Sequence, residues 1–129
     1  MEEKKTSVNG KDSNLILYVQ TSEEPQRQYS PLVLAQSASS MALTPKLYFI
    51  GQGIKILVPG VAEKIKLGNF PSVFEMLEKT MDMGIEVLAC EVSKRMFGWE
   101  KVELIEGINI VGAHTLNELA LKAGATMWF

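Results

Sequence analysis

Apolar residues in this chain come in short runs separated by polar residues, glycine or proline, and their spacing switches between the strand period and the helix period. Asn14 to Val19 (NLILYV) is a continuous apolar run rich in β-formers, which predicts a strand buried on both faces. Gln20 to Gln28 reads as a polar loop. Ser30 before Pro31 has the form of an N-cap and first helical position, and Leu34, Ala38 and Met41 make one stripe of a helix over Leu32 to Met41. The small residues Ala35, Ala38 and Ala42 suit close approach to a sheet. Lys46 to Ile50 (KLYFI) predicts a second strand, ended by Gly51, Gln52 and Gly53. Ile54 to Val58 (IKILV) alternates like a strand but sits between a glycine turn and Pro59-Gly60, so strand and short helix both stay open.

A short amphipathic piece follows at Val61 to Leu67. A clearer helix is expected from Ser72 to Met83, burying Val73, Phe74, Leu77 and Met81 while Glu75, Glu78, Lys79 and Asp82 face water. Gly84 terminates it, and Ile85 to Ala89 (IEVLA) is a third strand that leads directly to Cys90. Glu91 to Phe97 predicts two helical turns closed by Gly98, and Trp99 to Glu106 is a mixed segment with room for one more turn. Ile108 to Val111 is a fourth strand. Thr115 and Glu118 have capping-box spacing for a last helix carrying Leu116, Leu119, Ala120 and Ala123, and Ala125 to Phe129 is a fifth strand. This alternation predicts an α/β fold, a three-layer α/β/α sandwich with a mainly parallel sheet of about five strands.

Composition narrows the reading. The 129 residues carry 13 Lys+Arg against 15 Asp+Glu, a net charge of -2, with 47% hydrophobic residues. That suits one globular domain and gives no electrostatic footprint for nucleic acid or anionic lipid. No run approaches the roughly 20 apolar residues of a membrane-spanning helix, so no membrane span is expected. Residues 1–13 are polar, with Val8 the one aliphatic residue after Met1, and are expected to be a solvated, disordered tail before a single domain over 14–129. They lack the apolar centre of a secretory leader, which points to the cytoplasm and to Cys90, the single cysteine, as a free thiol.

Binding sites of parallel sheets form at the carboxyl ends of the strands, and those ends here hold Gln20 to Ser22, Gly51 to Gly53, Cys90, and Gly112 to Thr115 with His114. The single cysteine and the single histidine therefore share one edge. Cys90 also precedes a helix whose N-terminal dipoles favour a thiolate or persulfide anion; Lys94 and Arg95 favour that anion and Glu91 opposes it. The competing reading is a small buried hydrophobe at a strand end. His114 is a candidate base, relay or anion contact beside the plainer reading of a hydrogen-bonded spectator. One Cys and one His make no zinc cluster, so no metal is expected. Gly51-Gln52-Gly53 lacks the third glycine of a dinucleotide fingerprint and the Lys-Ser/Thr of a phosphate loop, so a flavodoxin-like nucleotide binder is disfavoured and no cofactor is expected. The seven methionines are read as packing or oligomer contacts.

Ile85 to Ser93 (IEVLACEVS), then Gly98, then Ile108 to Leu116 (INIVGAHTL) resemble the DsrE/DsrF-like family, in order with the Tyr48 to Ile54 turn (YFIGQGI) and the terminal Met127 to Phe129. The resemblance spans roughly 14–129. It implies a small α/β/α domain assembling into trimers or hexamers, with a cysteine on a loop near the subunit surface. It further implies that Cys90 takes up sulfane sulfur, as persulfide or thiosulfonate, and passes it to a TusA-type small carrier protein. It tilts Ile54 to Val58 toward a short helix. The function expected is thus an intracellular sulfur carrier or sulfurtransferase, against the alternative of a non-catalytic oligomeric binding module with a structural Cys90.

Overall fold

The computed structural model describes residues 7–8 and 11–129. One sheet carries β1 (Ser7–Val8), β2 (Lys11–Gln20), β3 (Thr44–Phe49), β4 (Glu86–Cys90), β5 (Asn109–Val111) and β6 (Ala123–Trp128). Four helices join them: α1 (Tyr29–Ser40), α2 (Val73–Asp82), α3 (Glu91–Met96) and α4 (Ala113–Lys122). Strands β6, β2, β3, β4 and β5 lie side by side in that order, all parallel, and the two-residue β1 pairs antiparallel with the start of β2. The fold is the expected α/β/α sandwich with a mainly parallel sheet, of six strands rather than about five.

Chain order explains the layers. From β2 through β3 to β4 the chain steps in one direction, and α1 and α2 pack on one face of the sheet, burying Leu32, Ala35, Val73 and Leu77 against Leu47, Phe49, Val87 and Ala89. From β5 the chain returns to the far edge through α4, which covers the other face by burying Leu116 with Leu15, Leu17, Val19, Tyr48, Leu88 and Cys90. Both faces of β2, β3 and β4 are thus covered, which is why their sequences read as near-continuous apolar runs.

Several local expectations shift. The first strand starts at Lys11, not Asn14, taking Lys11 to Ser13 out of the expected tail, because Asp12 pairs with both Ser7 and Ala123. The rest of the expected disordered tail, apart from Ser7 and Val8, lies outside the described residues. Helix α1 begins at Tyr29 rather than after Ser30, since a 3-10 turn at Pro25–Arg27 runs directly into it and Gln28 takes the cap position. Its buried side chains are Pro31, Leu32, Ala35 and Ala38, so Leu34 and Met41 of the expected stripe face outward. Ile54 to Val58 resolves as helix of the 3-10 kind, spanning Gly51–Leu57 and ending at the extended Val58. Only Ala62–Lys64 is helical within the piece expected at Val61 to Leu67, and Trp99 to Glu106 forms turns.

The capping box sits elsewhere than expected. Ser72 caps α2, its hydroxyl accepting the Glu75 N–H at 3.1 Å while the Glu75 carboxylate accepts the Ser72 N–H at 2.8 Å. In α4 the cap is Gly112, so Thr115 falls inside the first turn and its spacing to Glu118 has no capping use. The last strand begins two residues early, at Ala123, because the end of α4 passes straight into pairing with Asp12 of β2.

Candidate functional site

In β4 the side chains alternate, Val87 and Ala89 toward α1 and α2, Leu88 and Cys90 toward α4. Cys90 ends the strand and is the cap residue of α3, and it is only 2% exposed. The neighbouring strand places Tyr48 opposite Leu88, on the same face as Cys90 and fully buried. From there the Tyr48 hydroxyl donates to the carbonyl of Gly112, the residue between β5 and α4, at 3.0 Å.

A second hydroxyl comes from α3. Ser93 is buried one turn after Cys90, and its Oγ accepts the Gly51 N–H at 2.7 Å. With that acceptor position filled, the Ser93 proton is free to go to the Cys90 sulfur. The turn that delivers Gly51 is itself held tightly. Gly51 has φ +60, and a Cβ on Gly53 would lie 2.1 Å from the Gln20 carbonyl oxygen at the end of β2. The Gly-Gln-Gly sequence therefore serves close packing of a 3-10 turn on two strand ends.

These neighbours set the electrostatics of the sulfur. Burial pushes the Cys90 thiol up, but the Ser93 hydroxyl and N–H, the Tyr48 hydroxyl and the Val92 N–H all favour the anion, and the net direction is downward. Tyr48 moves the opposite way, raised by its own burial and by hydrogen bonding and charge repulsion from Cys90. The sulfur is thus buried beside two hydroxyl-bearing side chains and the first amides of α3. Such surroundings favour the thiolate over the thiol through hydrogen bonding rather than through a cation.

The sequence-predicted helpers stand apart from it. Arg95 is spent on Glu91, one turn away on the same helix at 2.9 Å, so the two side chains largely cancel at the sulfur. Lys94 is 7% exposed but is not among the groups that move the thiol. His114 is exposed in the first turn of α4, two residues past the carbonyl that Tyr48 holds, and likewise leaves the thiol unshifted. Sequence reasoning missed Tyr48 and Ser93 as partners. A signal existed for Ser93, a hydroxyl three residues after a strand-end cysteine at a helix start; none existed for Tyr48, which depends on strand register.

Two surface grooves are lined by neither Cys90, Tyr48 nor Ser93, although Lys94 borders the second. One of about 470 Å³ is lined by Phe74, Glu78, Met81, Asp82 and Ile105 beside α2. Another of about 480 Å³ runs along Glu100 to Ile108. Among the described residues no cluster of three or more His, Cys, Asp or Glu is placed to hold a metal ion, and no helix is long and apolar enough to cross a membrane.

The sequence matches the model of the DsrE/DsrF-like family over residues 14–129. The chain belongs to that family. It is 25% identical over 128 residues to the uncharacterized protein MJ0760 of Methanocaldococcus jannaschii, covering 98% of this chain and 46% of that protein, so it spans less than half the length of that relative. Among solved structures it resembles the ychN protein of E. coli, with a TM-score of 0.72 at 17% identity over 91% of this chain and 99% of that one. A protein of unknown function, MTH1491 of Methanobacterium thermoautotrophicum, superposes with a TM-score of 0.64 at 13% identity, covering 89% and 98% of the two chains. At those identities the structural likeness establishes a shared DsrE-like fold.

Proposed function

We propose that this DsrE-like protein is a cytoplasmic sulfur carrier or sulfurtransferase that loads and unloads sulfane sulfur on Cys90. The observation that carries the reading is the placement of a buried Cys90 at the carboxyl end of β4 and the start of α3, on one sheet face with Tyr48 and one turn before the buried Ser93, where hydrogen bonding shifts its thiol downward. The family's general link to sulfur relay supports it. With thiosulfate, the Cys90 thiolate attacks the outer sulfur, an S–S bond forms to Cys90, and sulfite leaves with the electron pair of the broken bond. With tetrathionate, the same attack leaves a thiosulfonate on Cys90 and releases thiosulfate. A partner thiolate, such as that of a TusA-type carrier, then attacks the outer sulfur of the persulfide and Cys90 departs as thiolate, so no external oxidant or cofactor enters.

The test is intact-mass measurement after incubation with thiosulfate, polysulfide or tetrathionate. One added sulfur or thiosulfonate on the wild type, absent in Cys90→Ser, is the expected result; no adduct with any of the three overturns the proposal. Cys90 at 2% exposure favours one second reading, a non-catalytic oligomeric module in which the cysteine is a packing residue. Iodoacetamide labelling only after denaturation would favour it. Either reading includes a homo-oligomer, a trimer or hexamer by resemblance to the family, and Leu121 and Trp128, large apolar side chains 74% and 55% exposed around the thinly covered α4 face, support self-association. Sedimentation of a monomer at micromolar concentration would contradict that assembly.

A further inference from the structure

Strand β6 is an edge of the sheet, paired with β2 on one side and with no described strand on the other. Every residue of it except Ala123 is exposed. Its orientation is set by Phe129, which follows it: the Phe129 N–H donates to the Val19 carbonyl and the Phe129 carbonyl oxygen accepts the Thr21 N–H, both at 2.8 Å. Backbone hydrogen bonds alternate sides along a strand, so Ala125 and Met127 also bond toward β2. The N–H and C=O groups of Gly124, Thr126 and Trp128 therefore point away from the sheet.

An open edge is a template for another strand, and proteins blunt it with charge, proline or shortness. Over six residues, Ala123–Trp128 (AGATMW) holds neither charge nor proline. The opposite edge is blunted, because β5 has three residues and its Asn109 amide donates to the Glu86 carboxylate at 3.3 Å. Beside β6 on the α4 side stand Leu121 just before the strand, 74% exposed, and Trp128 at its end, 55% exposed.

This edge is self-complementary. A two-fold axis through Thr126, perpendicular to the sheet, sets a second β6 antiparallel to the first and keeps each side chain on its own face. It places Trp128 opposite the partner's Gly124 and Met127 opposite the partner's Ala125, large against small, with Thr126 opposite the partner's Thr126. Gly124, Thr126 and Trp128 are then the residues that exchange both backbone bonds across the axis, so none of their edge donors or acceptors is left over. Leu121, at the start of one strand, comes beside the partner's Trp128, and within the paired strands no charge meets its like.

We propose that the β6 edge binds the β6 edge of a second copy of this chain, antiparallel about Thr126, so that the sheets of two protomers become continuous. The inference deepens the assembly part of the proposed function and does not rest on the chemistry of Cys90. Of a trimer and a hexamer, only the hexamer can contain such two-fold axes.

The experiment is amide hydrogen exchange of the full chain, read residue by residue by NMR, beside sedimentation. In the wild type the Gly124, Thr126 and Trp128 amides should be protected as strongly as that of Met127, which bonds to β2 in any case, and the assembly should be even-numbered. Thr126→Lys sets two ammonium groups face to face at an exposed position. It should halve the mass and expose the Gly124 and Trp128 amides while Met127 stays protected. Freely exchanging Thr126 and Trp128 amides in the wild type, a monomeric or trimeric wild type, or a mass unchanged by Thr126→Lys overturns the pairing. If Thr126→Lys also loses protection at Met127, β6 itself has come away, and the wild-type amides and mass alone decide. A sulfur adduct on Cys90 with unprotected outward amides sinks the edge pairing and spares the carrier; protected amides with no adduct from any donor do the reverse.

Discussion

The two faces of the sheet are built differently. Among the described residues, the face under α1 and α2 buries sixteen side chains in one cluster, whereas the face under α4 buries eight, and Tyr48 and Cys90 are two of those eight. The first face is closed by two helices and the 3-10 segment at Gly51–Leu57; the second has one ten-residue helix over a similar width of sheet. The first face is a stability core in the ordinary sense. The second has less packing and holds the buried Cys90 beside the hydroxyl of Tyr48.

That contrast can be broken by mutation. Leu77→Ala on α2, at a fully buried position, should cost about 3 kcal/mol in chemical denaturation, while Leu116→Ala on α4, at 9% exposure, should cost about half of that. Equal losses would mean that the α4 face is as tightly packed as the other. Helix starts offer a smaller test. Ser72→Ala removes a formed capping box and should cost about 1 kcal/mol, whereas Thr115→Ala should be near neutral.

The chemistry of the α4 face gives two further measurements. Alkylation of Cys90 at neutral pH should slow several-fold in Ser93→Ala, which removes a donor to the anion, and should change little in Glu91→Gln, Lys94→Ala or Arg95→Ala. A large effect from Lys94→Ala would return the site to the cation-assisted form expected from sequence. The smallest effect is on stability against pH. The folded thiol ionises below its ordinary value of 9.0, so between the lowered folded value and 9.0 the unfolded chain holds more protons. Stability should therefore rise with pH across that window and level off above it. The rise should be absent in Cys90→Ala, and Tyr48, shifted upward, should reverse it above its ordinary value of 10.0.

How much of this was legible follows from which forces are local. The parallel strands β2, β3 and β4 could be read because a doubly covered strand needs apolar residues on both faces, and the runs around Leu17, Tyr48 and Leu88 supply them. The placement of Cys90 at a strand end before a helix was legible for the same reason, since Gly84 and Gly98 bracket it with turns at φ +81 and +71. The start of α1 was not, because Gln28 caps it through a preceding 3-10 turn instead of through the Ser30-Pro31 signal. Nor was the last strand's early start, which depends on pairing with Asp12 more than a hundred residues away.

The sequence by itself determined the fold class, the strand order along the chain and the one thiol, because periodicity and residue chemistry are properties of neighbours. Only the tertiary structure decided which groups surround that thiol. Tyr48 comes onto the face of Cys90 through the register of β3 on β4, and Ser93 is oriented by Gly51 from a turn forty-two positions earlier. Of the two cations that sequence proximity favoured, Arg95 is drawn into a pair with Glu91. A hydrogen bond depends on distance in space, and the chain brings that distance about only once the sheet has assembled.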